Sequence, residues 1–165
     1  MSTILNTNGS ELEIPQLDPQ ASGRFYIFTA DWNREITHSR RDAGLDVLRK
    51  AGVKDENIVS MSVPGTVELV NASALALERE DTEAVIMIGC VIRGDTPHFD
   101  YVCRIAAQGC ASLNSRGKAP VIFGVLTVDN PSQALERAGG SLGNKGAEAA
   151  VAALSLSSLR HQLLQ

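Results

Sequence analysis

Residues 84–91 read Ala-Val-Ile-Met-Ile-Gly-Cys-Val, a run without a charged or hydroxyl side chain. A strand that is apolar on both alternating faces must be covered from both sides, as an inner strand of a parallel sheet is. The segments around it follow the same scheme. Phe25 to Ala30 is a compact apolar run, Ile58 to Val63 alternates and stops at Pro64-Gly65, and Val121 to Leu126 makes a fourth strand. Helical patterns lie between them. Asn33 to Ala51 brings Ile36, Ala43, Val47 and Ala51 near one face and ends at Gly52, and Val67 to Glu80 aligns Val70, Ala74 and Leu77. After the tight loop Arg93-Gly94-Asp95-Thr96-Pro97, the residues Phe99, Val102, Ala106, Cys110 and Leu113 recur every three or four positions. Asn130-Pro131 forms a good N-cap and first-turn pair, Gly139-Gly140 breaks the helix that follows, and Ala147 to Leu164 is a long alanine-rich helix. Alternation of strand and helix with short connections predicts βαβ units: a three-layer α/β/α domain around a four-stranded parallel sheet.

Such a sheet binds ligands beyond the carboxyl ends of its strands. The informative segments are therefore Asp31-Trp32-Asn33, Pro64 to Glu68, Ile92 to His98, and Thr127 onward. The 165 residues amount to one domain (23–165) with a polar arm (1–22) that carries Pro15 and Pro19. Leu12 and Ile14 flank Glu13 in the arm and could supply a short edge strand; an arm unable to fold alone frays or pairs with something else, such as a neighbouring subunit. A hydrophobic content of 44% and a charged content of 21% exclude a disordered chain. Net charge −4 offers no basic field and aromatics are only 4%, so nucleic acid is not an expected partner. No apolar run reaches the ~18 residues of a membrane span, and no basic, then apolar, leader opens the chain. A cytoplasmic protein is expected. Its cysteines, Cys90, Cys103 and Cys110, are odd in number and contain no Cys-x-x-Cys pair, which argues against a disulfide framework and a thiolate zinc site. Cys103 and Cys110 read as small buried hydrophobes.

Several motifs are missing. No Gly-x-Gly-x-x-Gly follows the first strand, no Gly-x-Ser-x-Gly elbow is present, and Gly139 to Gly146 lacks the Gly-Lys-Ser/Thr ending of a P-loop. A receiver-type Asp is replaced by Gly89-Cys90, and no cluster has metal-ligand spacing. What remains is loop chemistry with small molecules. His98 is one candidate, because imidazole exchanges protons near neutral pH; a lone loop histidine is otherwise more often a solvated surface group. His38 and His161 read as structural or solvent-facing.

Taken in order, the loops resemble the lumazine synthase family. The likeness runs through Trp32-Asn33, Val63-Pro64-Gly65-Thr66-Val67-Glu68-Leu69, and Gly89-Cys90-Val91-Ile92-Arg93-Gly94-Asp95-Thr96-Pro97-His98-Phe99-Asp100-Tyr101-Val102. It continues in Phe123-Gly124-Val125-Leu126-Thr127, Gln133-Ala134, Arg137-Ala138-Gly139, and Gly143-Asn144-Lys145-Gly146 with Glu148. About residues 25 to 155 are covered. The resemblance implies flavodoxin-like winding of the sheet. It also implies condensation of 5-amino-6-(D-ribitylamino)uracil with 3,4-dihydroxy-2-butanone 4-phosphate to 6,7-dimethyl-8-ribityllumazine, in riboflavin biosynthesis. No cofactor is needed, because the diamine is itself the nucleophile.

The same resemblance assigns roles. His98 shuttles protons. Arg137 grips phosphate, helped by Lys145, by Thr96 and by backbone N–H groups of the adjoining helix N-terminus. Trp32 and Phe123 wall the pyrimidine from adjacent subunits, and Glu68 with the main chain of Thr66 and Val67 holds the ribityl hydroxyls. Asn33, Cys90, Val91, Ile92 and Asp95 complete the expected lining. By residue type alone, Phe123 reads as a core strand residue, and Arg137 and Glu68 as ordinary helix charges. Three positions depart from the family pattern: Val67 is often aromatic there, Ser141 commonly a lysine, and Asp95 commonly small. Pentamers are implied, and the short Gly139 to Asn144 connection favours twelve of them closed into an icosahedral shell; association with riboflavin synthase is a further implied partnership. The rival reading is a catalytically idle shell-forming or flavin-binding homologue.

Overall fold

The computed structural model describes residues 12–164. Its central sheet holds β1 (Arg24–Ala30), β2 (Ile58–Val63), β3 (Thr82–Ile92) and β4 (Val121–Val128) in the order β2-β1-β3-β4, every pair parallel. This is the winding expected for a flavodoxin-like sheet, with β3 inside. Residues 82–90 are all buried, which is why their sequence carries no polar alternation. At the edges the pattern relaxes: Ser60, Met61 and Ser62 of β2 and Phe123 and Thr127 of β4 are exposed.

Two helical layers cover the sheet. On one face Phe25, Ile27, Ile86 and Ile88 pack with Val47 and Leu48 of α1 (Arg34–Lys50) and with Ala150, Ala153 and Leu154 of α5 (Lys145–Leu163). On the other, Tyr26, Phe28, Val85 and Met87 meet Leu69 and Leu77 of α2 (Glu68–Leu77) and Cys110 and Leu113 of α3 (His98–Asn114). A short α4 (Pro131–Glu136) follows β4. It is capped as its sequence predicts, the Asn130 side chain accepting from Gln133 N at 3.0 Å. A small antiparallel pair, β5 (Ala138–Gly140) and β6 (Gly143–Asn144), then leads into α5.

Three details differ from the sequence reading. α2 stops at Leu77, not Glu80, because the Thr82 hydroxyl takes the Ala76 carbonyl (2.7 Å) and β3 starts there. The buried stripe of α1 holds Thr37, Arg40 and Gly44, whereas Ala43 is only half-buried. Leu12 and Ile14 form no strand in this chain. They pack by their side chains against the α1/α5 core, as Leu17 does, and Leu17 N binds the Ala51 carbonyl at 2.9 Å. Pro15 and Pro19, without N–H groups, cannot sustain a ladder there. Residues 1–11 of the arm lie outside the described residues. No helix among the described residues is long and apolar enough to cross a membrane.

Candidate active site

The loops that leave β1, β2 and β3 all lie at the carboxyl end of the sheet. Asp31 N extends the β1 ladder to Val63 O (2.9 Å), and Trp32 then turns outward, 72% exposed. Asn33 follows at φ 58°, the one non-glycine residue in the left-handed region among those described. Its side-chain amide donates to Cys90 O (3.0 Å), which ties the exit of β1 to β3. Asn33 is thereby a fastener of the loop, and an asparagine tolerates that backbone better than most residues.

Gly65 explains how the β2 loop closes. A Cβ there would stand 2.9 Å from Glu68 Oε2 and 3.5 Å from the Trp32 ring. The missing side chain lets the indole and the carboxylate converge on one spot. Thr66 is buried with its side chain against Gly89, so what it can offer a ligand is main chain; Val67 is half-buried. Glu68, exposed at the start of α2, makes no ion pair among the described residues.

Cys90 is buried in a cluster with Ile36, Leu126, Val128 and Ala134, and burial pushes its thiol up to about 11 despite the nearby Arg40. Its sulfur therefore stays protonated in the core, and its carbonyl is already used by Asn33. Val91 and Ile92 are half-buried at the strand's end. Beyond them Arg93 anchors the next loop: its N–H binds Val128 O, its side chain binds Asp129 (3.0 Å) and Asp100 (3.5 Å), and its guanidinium lies 4.1 Å from the centre of the Phe99 ring. This clamp leaves Asp95, Thr96 and His98 exposed, with side chains that bond to nothing among the described residues. His98 is the first residue of α3, whose N-terminus has no side-chain cap. Uncapped N–H groups beside an imidazole suit an anionic, proton-exchanging ligand.

The remaining predicted residues lie elsewhere. Phe123, 40% exposed, sits mid-strand on β4 opposite Met87, which is level with Phe28. Two strand spacings and the rise from Phe28 to Trp32 place the backbones of Trp32 and Phe123 roughly 16 Å apart. Arg137 and Lys145 flank the β5–β6 pair, joined by Lys145 N to Arg137 O (2.9 Å). That pair is fastened to α1, in the layer opposite α3, by Ser39 Oγ to Ala138 O (2.7 Å) and Asn144 Nδ2 to Ser39 O (3.3 Å).

Arg137 donates to Gln133 O (2.8 Å) and stands 3.8 Å from Glu136, leaving part of its fork free. Lys145 is bound more firmly, its Nζ 2.7 Å from Glu148 Oε1 with both side chains 17% exposed. Sequence reasoning missed Glu148 as its partner, although the i, i+3 spacing was a usable signal. It also missed Arg93 and Arg40. A cavity of about 400 Å³ lined by Leu77, Thr82, Lys118 and Arg160 opens at the opposite, amino end of the sheet and contains none of these groups.

Residues 22–161 match the model of the 6,7-dimethyl-8-ribityllumazine synthase family. The chain belongs to that family. Among relatives bearing the family name, the protein of Porphyromonas gingivalis is 52% identical over 136 residues, 82% of this chain and 84% of the relative. That of Bacteroides fragilis is 47% identical over 133 residues (81% and 93%), and that of Phocaeicola vulgatus 43% over 156 residues (94% and 93%). The lumazine synthase match takes in every loop described above and most of the α5 helix that carries Lys145.

Proposed function

We propose that this chain condenses 5-amino-6-(D-ribitylamino)uracil with 3,4-dihydroxy-2-butanone 4-phosphate to 6,7-dimethyl-8-ribityllumazine, the step of riboflavin biosynthesis after which its relatives are named. The observation that carries this reading is the open set of Trp32, Glu68 and His98 at the carboxyl end of the sheet, whose side chains make no hydrogen bond or ion pair among the described residues. Two carbonyl–amine condensations each release a water, and phosphate leaves between them. His98 takes the proton from the attacking amine and returns one to the departing oxygen. Arg137 grips the phosphate with its free N–H groups, aided by the uncapped N-terminus of α3 and by Thr96. Glu68 and the Thr66–Val67 main chain hold the ribityl hydroxyls. The lining of Asn33, Cys90, Val91, Ile92 and Asp95 acts chiefly by shaping the loops and their backbone.

The site is shared. Trp32 and His98 come from one copy, and Phe123, Arg137 and Lys145 from its neighbour; the roughly 16 Å between the backbones of Trp32 and Phe123 in one chain, against about 7 Å between walls around one flat ring, supports this. The exposure of Trp32, Tyr101, Ile105, Phe123, Leu135 and Leu156 supports self-association, since a monomer rarely leaves so much apolar surface open. Pentamers, twelve of them closed into a shell in the cytoplasm, are the assembly proposed; the N-terminal arm, besides packing on its own core, reaches the neighbouring copy, and riboflavin synthase is a candidate partner. Mixing the purified protein with both substrates tests the activity, because the product absorbs and fluoresces distinctively. Formation above the spontaneous rate is the expected result, and none above it would overturn the reading.

A further inference from the structure

The loop that carries His98 has little of its own to hold it. Residues 94–97 make no side-chain hydrogen bond among the described residues, and a Cβ at Gly94 would meet nothing within 4 Å. Helix α3 begins beyond Pro97 without a side-chain cap. One guanidinium fixes both ends of this loop. Arg93, the residue after β3, donates from Nε to Asp129 (3.0 Å), the residue after β4, and from Nη1 to Asp100 (3.5 Å), the third residue of α3. Its Cζ lies 4.1 Å from the centre of the ring of Phe99, the second residue of α3. The Arg93 N–H, bound to Val128 O at 2.9 Å, keeps the root of that side chain in register with β4. The first turn of α3, with His98 at its head, is thus tied to the ends of two strands through a side chain. A planar fork lying over a ring sets direction as well as distance, which a flexible ammonium does not. Arg93, Asp100 and Asp129 are all exposed, so their ion pairs contribute little to stability. Their effect is on where the imidazole and the uncapped N–H groups point.

We propose that Arg93 is a positioning residue for the reaction: by holding Asp129, Asp100 and the Phe99 ring together it sets the first turn of α3, and with it the His98 imidazole, for proton transfer. This inference rests on the lumazine synthase reading, with His98 as the group that exchanges protons and Arg93 acting through it.

The test is steady-state kinetics on the full-length assembly with Arg93→Met and Arg93→Lys, each in the parent and in the His98→Ala background. Arg93→Met is expected to lower kcat about tenfold, as displaced catalytic groups do, with KM for the pyrimidine within about twofold of the parent. Its Tm should move by no more than about 2 °C. In the His98→Ala background the same change should cost no more than about twofold, since no imidazole is left to place. Lysine keeps the charge but cannot reach Asp129 and Asp100 at once while covering the ring, so Arg93→Lys should stay within about threefold of the methionine variant. If the methionine variant does not assemble, Arg93→Gln takes its place. An unchanged kcat, the same loss repeated in the His98→Ala background, or full recovery by lysine, the sign of a charge serving the phosphate directly, would each overturn the inference. Absence of product from the parent protein would instead overturn the functional reading.

Discussion

At the amino end of the sheet the charges of Asp81 and Glu83 are answered within the chain, whereas at the carboxyl end, beside the Arg93 clamp, several side chains are left open. Asp81 receives Arg24 (3.2 Å) and both Nε and Nη2 of Arg79 (2.9 and 3.0 Å), while the buried Glu83 accepts from Gly23 N (3.0 Å) and Ser157 Oγ (2.9 Å) and faces His161 Nε2 at 2.9 Å. At the other end, the side chains of Glu68, Asp95, Thr96 and His98 have no such partners among the described residues. The fold is the same parallel sheet at both ends. What differs is where backbone N–H groups and loops point, and so where a ligand can be met. Changes at the first end should therefore act on stability, and changes at the second on turnover.

Breaking the amino end should have the largest effect. Glu83→Ala strands the buried Ser157 hydroxyl and the half-buried Gly23 N–H and His161, and is expected to cost about 3 kcal/mol. That is a fall in Tm of roughly 6–12 °C for a domain of this size, read by calorimetry, with KM for both substrates unchanged in the folded fraction. At the carboxyl end His98→Ala should slow turnover by up to about 100-fold while Tm moves by only about 1 °C. An unaltered dependence of rate on pH in that variant would remove His98 from the proton transfers. Arg137→Ala should raise KM for the butanone phosphate about tenfold and spare the pyrimidine. Equal weakening for both would point to a damaged β5–β6 pair.

The smallest expected effect is one of pH. Hydrogen bonding to Arg79 holds the Asp81 carboxyl below its ordinary value near 4. A depressed acid contributes stability above its unfolded-state value and loses it as pH falls through the lower, folded one. Asp81→Asn should therefore lower Tm slightly at pH 6 and leave it unchanged near pH 2, as followed by circular dichroism.

The layers were legible because their signals are local. An apolar run of eight residues announces an inner strand, and Asn130-Pro131 announces a helix start. Loops after strands could likewise be singled out as the candidate site, and Trp32, Glu68 and His98 stand there. Arg40 was not legible. Periodicity places it on the buried stripe, but the acceptors that make an arginine acceptable there lie 49 and 84 residues away. The arm was legible only in part: Leu12-Glu13-Ile14 alternates as a strand does, but nothing in the sequence said that Leu12 and Ile14 would pack against the α1/α5 core of their own chain. Phe123 showed the reverse. Its strand was plain, but its exposure follows from β4 being the sheet's edge, which only topology reveals.

Complementation between two damaged copies tests the shared site most directly. His98→Ala and Arg137→Ala chains are unfolded, mixed in equal amounts and refolded together. If one copy supplies the imidazole and its neighbour the guanidinium, random assembly restores both groups in about a quarter of the sites. With the butanone phosphate held well below its KM, lumazine formation should then rise to about that fraction of the parent rate. A mixture no more active than the average of the two variants refolded separately would contradict a site built between copies.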